Sequence, residues 1–216
     1  MNISPQAALQ NALKQQLQQE WRTSLHRLRA RQLLQTPSAW LALRVPGVDG
    51  FWFGSSDADQ PQWMPIAGNG NATLAAHLLR SRPDVGAIAT GCGRYGQHLF
   101  DVHGRMPGVF DEQVRHLGKM RASARNDVAA LELGGNVHWL AGQPLLLGMS
   151  ANRLVLNAEL FEKCAKAYVL AAATGQRVKP LPWLVRVIAN RRLINDEKAA
   201  AARFVNGELP EDSRPY

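Results

Sequence analysis

The stretch from Arg82 to Gly96, RPDVGAIATGCGRYG, constrains the fold of this chain more than any other. Residues 85–90 are almost entirely apolar, which predicts a buried strand, and the glycines that follow predict a tight turn. Proteins that mix helices and strands usually place their working residues where a strand leaves the sheet. Thr90 and Cys92 leave this strand, and no histidine or carboxylate stands beside them. The sequence therefore indicates a scaffold more clearly than an activity.

Composition limits the class of protein. The chain has 216 residues, of which 46% are hydrophobic and 19% charged, typical of a globular protein with one large or two small domains. No apolar run reaches the ~18 residues of a membrane span, and the N-terminus does not resemble a signal peptide. Cys92 and Cys164 are the only cysteines, too few for a disulfide framework. We predict a cytoplasmic protein with no membrane partner.

A net charge of +8 favours an anionic partner. The arginines are scattered, and their tightest clusters, residues 22–31 and 191–192, fall on helical patterns that solvated helix faces explain. We therefore do not expect nucleic-acid binding. A small anionic metabolite fits better, because the guanidinium group suits carboxylate and phosphate groups.

Hydrophobic periodicity predicts a mixed α/β chain. Leucines spaced by three or four residues predict an amphipathic helix within residues 1–35, ended by Pro37. Residues 39–44 and 50–53 flank a turn and predict a hairpin. Further strands are predicted over 63–67, 85–90, 128–133, 137–140 and 145–148, and further helices over 73–81, 94–100, 111–124, a long segment capped by Ser150 and stopped by Gly175, and 183–205. Because several strands join through hairpins, the sheet should be mostly antiparallel or mixed.

Four segments in order, RVPGVDGFWFG, RSRPDVGAIATGCGRYG, MPGVFDEQVRHLG and LFEKCAKAYVLAAATG, resemble the class II aldolase/adducin family. The resemblance covers roughly residues 37–182. It implies a three-layer α/β/α sandwich around a largely antiparallel sheet, and a homo-oligomer with a tetramer favoured. We accordingly divide the chain into an N-terminal helix (1–35), an aldolase/adducin-like domain (36–182) and a helical extension of that domain (183–216).

Active members of this family use a divalent metal, usually zinc, and a catalytic glutamate on hydroxy-carbonyl substrates. The resemblance places the first two metal-ligating histidines on Thr90 and Cys92, and the third on Gly142. The glutamate falls near Asn71, and the phosphate-binding turn is replaced by residues 36–39. One cysteine does not hold zinc against water. The sequence therefore predicts no metal and no other cofactor.

Five residues are predicted to bind the ligand: Asn71, Thr90, Cys92, Arg94 and Tyr95. An arginine and a phenol at the strand end can hold a carboxylate or phosphate without a metal. The leading hypothesis is a divergent aldolase/adducin-like protein without the family metal site that binds a small anionic metabolite, as a pseudo-enzyme or scaffold.

Two alternatives stay open. The chain could be an active lyase, of the aldolase or decarboxylase type, whose metal ligands have moved to His98, His103 and His116. It could also be a structural protein that works through its long terminal helices.

Overall fold

The computed structural model of the chain describes residues 5–36, 38–67, 73–120, 131–140 and 143–211. Six strands form one sheet over these residues: β1 (Trp40–Arg44), β2 (Gly50–Ser55), β3 (Gln62–Pro65), β4 (Ala87–Thr90), β5 (Val137–Leu140) and β6 (Gln143–Gly148). The helices are α1 (Pro5–Ala30), α2 (Thr73–Ser81), α3 (Arg94–His98), α4 (Ala151–Ala172) and α5 (Trp183–Val205), with π-helical turns at Leu99–His103 and Gln113–Leu117.

Every pair of neighbouring strands in the sheet is antiparallel, in the order β3-β2-β1-β4-β6-β5. Strand β4 therefore lies at the centre, between β1 and β6. This confirms the predicted antiparallel sheet and places the end of β4 beside two other strands.

Alternating side chains of the sheet enter two separate cores, as the period of two in a strand requires. Leu41, Leu43 and Leu146 pack on one face with residues of α1 and α4. Ala42 and Ile88 face the opposite side, with the apolar residues of α2. The structure is thus helix, sheet and helix in three layers, which confirms the predicted α/β/α arrangement.

Helix α1 is part of the main core through the fully buried Trp21. Its indole Nε1–H donates a 2.9 Å hydrogen bond to the carbonyl oxygen of Leu41 in β1. Gly54 in β2 makes room for this ring, because a Cβ built there would lie 2.5 Å from an indole carbon. The division of the chain into three segments stays a prediction.

The prediction that Pro37 ends the first helix is wrong. Helix α1 ends at Ala30, where Gln32 has a φ of +55°. The amide of Gln32 donates to Arg29, and the amide of Leu33 donates to Leu28, which is the Schellman pattern. Leu28 and Leu33 are both buried, so an apolar contact accompanies the stop. Pro37 itself lies outside the described residues.

The predicted helix over 111–124 is also too long. The helical structure stops at Leu117, the last residue of the π-helical turn, because Gly118 has a φ of +72°. Gly118 forms a bridge with Gly135, and a Cβ at Gly118 would lie 2.0 Å from the carbonyl oxygen of Gly134. Positions 121–124 lie outside the described residues.

The strand predicted over 128–133 is absent from the part of that range that the structure describes. Residues 131–133 have no strand structure, and residues 128–130 lie outside the described part of the chain. The other predicted strands are present, with ends shifted by up to two residues. Ser150 caps α4 by accepting a hydrogen bond from the amide of Arg153, as predicted.

A buried ionic network holds α5 against the sheet. The Arg82 guanidinium donates to both carboxylate oxygens of Asp84, at 2.8 and 2.7 Å, and to Glu197 Oε1 in α5 at 3.2 Å. All three side chains are at most 2% exposed. Burial raises the pKa of Glu197 to about 7, although Arg82 opposes that shift. Arg82 also binds the carbonyl oxygens of Glu132 and Gly135, which fixes the loop before β5.

None of the helices over the described residues has an apolar stretch long enough to cross a bilayer.

Candidate functional site at the end of the central strand

Thr90 is the last residue of β4, and its side chain is engaged by the sheet itself. It is 2% exposed, and its Oγ1 accepts a 3.0 Å hydrogen bond from the amide of Trp40 in β1. One lone pair of the hydroxyl therefore completes the hydrogen bonding at the start of β1. Thr90 lies at the end of the central strand, as the sequence predicts, but its side chain is buried.

Cys92 follows the turn and is packed in the main core. It is 2% exposed, and burial raises the pKa of its thiol far above the usual range, with further increases from the nearby Glu162 and Asp101 carboxylates. The thiol therefore stays protonated at neutral pH. Because the thiolate is the form that attacks electrophiles and binds metals, this arrangement suits neither role.

The N-terminus of α3 is capped by a residue that the sequence did not indicate. Glu162, on α4, accepts hydrogen bonds from the amide of Tyr95 at 2.8 Å and from the amide of Gly96 at 2.9 Å. The preceding residue, Gly93, leaves room for this carboxylate, since a Cβ there would lie 2.4–2.6 Å from its atoms. The backbone amides that would attract an anion at this turn are thus bound to the chain's own carboxylate.

Two cations lie beside this cap. The side chain of Arg94 is exposed and makes no hydrogen bond or ion pair with another residue of the described ranges. Lys166 is exposed on α4, and its ammonium lies 5.5 Å from the centre of the half-buried Tyr95 ring. The sequence prediction included Arg94 and Tyr95 but missed Lys166, which comes from a distant part of the chain.

The segment that replaces the family's phosphate-binding turn lies next to the same strand end. The Thr36 hydroxyl is close to Gly91, where a Cβ would lie 3.0 Å from Thr36 Oγ1. This oxygen is buried and has no hydrogen-bond partner among the described residues. The side-chain Nε2 of Gln143, at the start of β6, donates to Ser38 Oγ. Asn71 and Gly142 lie outside the described residues, so the placement of these two predicted positions stays untested.

The three histidines proposed as replacement ligands do not form a metal-binding group. His98 is exposed, and His103 stacks edge-on against Tyr168 with ring centres 5.4 Å apart. His116 accepts a 3.2 Å hydrogen bond from Arg153, and burial together with the charges of Arg153 and Arg115 lowers its pKa to about 4. An imidazole between two guanidinium groups is a poor place for a divalent cation.

The donor set at the end of β4 does not fit a divalent metal. The Thr90 hydroxyl is hydrogen-bonded to the sheet, and the Cys92 thiol is protonated. Over the described ranges, no three His, Cys, Asp or Glu side chains lie close enough together to hold a metal ion. The positions described therefore cannot supply the ligands that the resemblance implies.

No family model matches the sequence, and no curated protein does. Solved structures do match the fold. YgbL from Escherichia coli, described as a putative aldolase/epimerase/decarboxylase, is 15% identical with a TM-score of 0.68, over 82% of this chain and 98% of that one. An aldolase II superfamily protein from Pseudomonas syringae is 14% identical with a TM-score of 0.66, over 95% and 92%. The L-fuculose 1-phosphate aldolase from Glaciozyma antarctica is 16% identical with a TM-score of 0.65, over 98% and 96%.

This chain has the class II aldolase fold. The resemblance drawn from the four sequence segments is thereby confirmed at the level of the fold. The class II aldolase fold extends over nearly the whole of the chain, including α1 and α5, as the coverage of the last two structures shows. Fold alone does not define chemistry, so the function is argued from the residues at the strand end.

Proposed function

We propose that this protein uses the class II aldolase fold to bind a small anionic metabolite, without the metal centre of the aldolases. The observation that carries the proposal is the chemistry at the end of β4. Thr90 and Cys92 stand where the resemblance expects histidines, and one is hydrogen-bonded to the backbone while the other is a protonated, buried thiol. A site of this kind favours a pseudo-enzyme or scaffold over a lyase.

The proposed anion contacts are the two cations beside Tyr95. The Arg94 guanidinium and the Lys166 ammonium are exposed, and neither is neutralised by an ion pair within the described residues. Guanidinium and ammonium groups together suit a carboxylate or phosphate. Asn71, Thr90, Cys92, Arg94 and Tyr95 stay the proposed ligand-binding set, with Lys166 added to it.

The lyase alternative receives no specific support, because His98, His103 and His116 do not form a metal-binding group. We retain as proposals a homo-oligomer, with a tetramer favoured, and a cytoplasmic location. Nucleic acid is not among the proposed partners.

Anion binding can be tested by calorimetric titration of the full chain with 2-phosphoglycolate, which carries both a phosphate and a carboxylate. The double variant Arg94→Gln/Lys166→Gln is expected to bind at least about tenfold more weakly, because it removes two charge-assisted contacts. The matched control, Arg177→Gln/Lys179→Gln, removes the same charge from exposed positions elsewhere. Equal weakening in both variants, or no binding by the native chain at millimolar ligand, would contradict the proposal.

A further inference from the structure

A cavity separate from the strand end lies between α5 and the chain around Gly108 and Gly118. Its volume is about 740 Å³, within the range of small-molecule binding sites. None of the predicted site residues Thr90, Cys92, Arg94 and Tyr95 lines it. It therefore requires an explanation of its own.

The wall of this cavity carries five cations and no carboxylate. The cations are Arg105, Lys119, Arg186, Arg191 and Lys198. Over the described ranges, none of the five takes part in an ion pair, and only Arg186 uses its side chain in a hydrogen bond, from Nε to the carbonyl oxygen of Leu181 at 3.0 Å. Like charges gathered in a concave surface create a strong positive potential, which an anion relieves. The five cations therefore indicate a ligand with more than one negative charge.

The remaining wall is apolar and includes an exposed aromatic ring. Trp183, Val187 and Ile194 follow one another along one face of α5, at intervals of four and seven residues. Trp183 is 68% exposed, which is unusual for so large an apolar side chain. Met106, Pro107, Val114 and Met120 complete the apolar part of the wall. A ligand that fills this cavity therefore combines a polyanion with a flat or apolar group.

The walls are held in place before any ligand arrives. The amide of Leu181 donates a 2.9 Å hydrogen bond to the carbonyl oxygen of Gly108, which joins the start of α5 to the opposite wall. Further along α5, Asp196 accepts from Arg115 at 2.7 Å, and Glu197 lies in the buried network with Arg82. A preformed cavity spends little binding energy on ordering its walls.

We propose that this cavity binds a nucleoside di- or triphosphate. The phosphates contact the cations of α5, Arg191 and Lys198 among them, and the base stacks on Trp183. A base on an aromatic side chain is a sequence-tolerant contact, and guanidinium and ammonium groups are the usual partners of phosphate. An open cavity of this volume suits a free nucleotide better than an extended strand, whose backbone needs a continuous basic groove.

Calorimetric titration of the full chain with ADP tests the proposal. The double variant Arg191→Glu/Lys198→Glu is expected to bind ADP at least about 30-fold more weakly, because two phosphate contacts become repulsive. The matched control is Arg192→Glu/Lys179→Glu, which makes the same change in net charge at exposed positions that do not line the cavity. All four positions are exposed, so the variants should fold, and thermal unfolding checks that they do.

Two further titrations separate the phosphate from the base. Trp183→Ala is expected to weaken ADP binding about tenfold, because the variant loses the stacking contact with the base, and to leave the affinity for inorganic pyrophosphate unchanged. ADP affinity that is the same in the cavity variant and its control would overturn the proposal. So would the absence of ADP binding at millimolar concentration, or tighter binding of a single-stranded oligonucleotide that both double variants weaken equally.

Discussion

Replacing Arg82 with methionine is expected to lower the free energy of unfolding by about 3–5 kcal/mol, measured by urea denaturation at pH 7.5. Arg82 is the only cation in contact with Asp84 and Glu197 among the described residues, and all three side chains are buried. Methionine fills much of the volume but leaves two buried carboxylates without their ion-pair partner, and only Asp84 keeps a longer-range attraction, to Arg44. Breaking a buried pair on one side costs more than the pair contributes as a whole, because an unpaired charge stays behind.

Arg192→Met is the matched control, since Arg192 is exposed on α5 and makes no ion pair among the described residues. It should change the free energy of unfolding by less than about 0.5 kcal/mol. The loss in the Arg82 variant should also shrink between pH 7.5 and pH 5. Arg82 lowers the pKa of Glu197, so its removal raises that pKa further, and the carboxyl becomes neutral on acidification. If Arg82→Met lowers the free energy of unfolding by no more than Arg192→Met does, at either pH, this explanation of the network is contradicted.

Replacing Trp21 with alanine is expected to lower the free energy of unfolding by about 3–5 kcal/mol, which is the usual cost of truncating a large core aromatic side chain. Trp21 is fully buried between α1 and the sheet, and its indole N–H satisfies the carbonyl oxygen of Leu41. The variant therefore leaves a cavity and an unpaired acceptor. Denaturation by guanidinium chloride, followed by far-ultraviolet circular dichroism, measures the change.

Trp183→Ala provides the comparison for Trp21, because the same truncation at a 68% exposed position should change the free energy of unfolding by less than about 0.5 kcal/mol. If both truncations had equally small effects, α1 would not be an integral part of the core. The fold would then have to be stable without its first helix.

Local signals in the sequence were enough for much of the fold. The hairpin of β1 and β2 was predicted from alternating apolar residues around a turn with Pro46 and Gly47. The start of α4 was predicted from Ser150, because capping by a serine side chain depends only on neighbouring residues. Local sequence signals also predict α2 and α5, whose bounds match the predicted ranges. These elements are determined within a few residues of where they begin and end.

The errors came from contacts that a local pattern does not contain. The helix that begins at Asp111 stops early because the backbone of Gly118 pairs with Gly135. Helix α1 stops at a left-handed Gln32, a conformation that usually marks glycine or asparagine. In the candidate site, Glu162 caps a helix 67 residues earlier in the chain, so no spacing rule would have indicated it. The only signal in the sequence is Gly93 at the N-cap position, because glycine has no side chain with which to cap the helix itself.

We propose that the class II aldolase fold of this chain has no metal centre at the end of β4, and the metal content of the purified protein tests this most directly. The chain, prepared without a histidine tag, is incubated with zinc and manganese, desalted and analysed by mass spectrometry of its metals. Cys92→Ser and Cys164→Ser serve as a matched pair, because both thiols are buried and only Cys92 is at the strand end. We expect no retained metal in any of the three proteins. One retained ion per chain that Cys92→Ser loses and Cys164→Ser keeps would contradict the account.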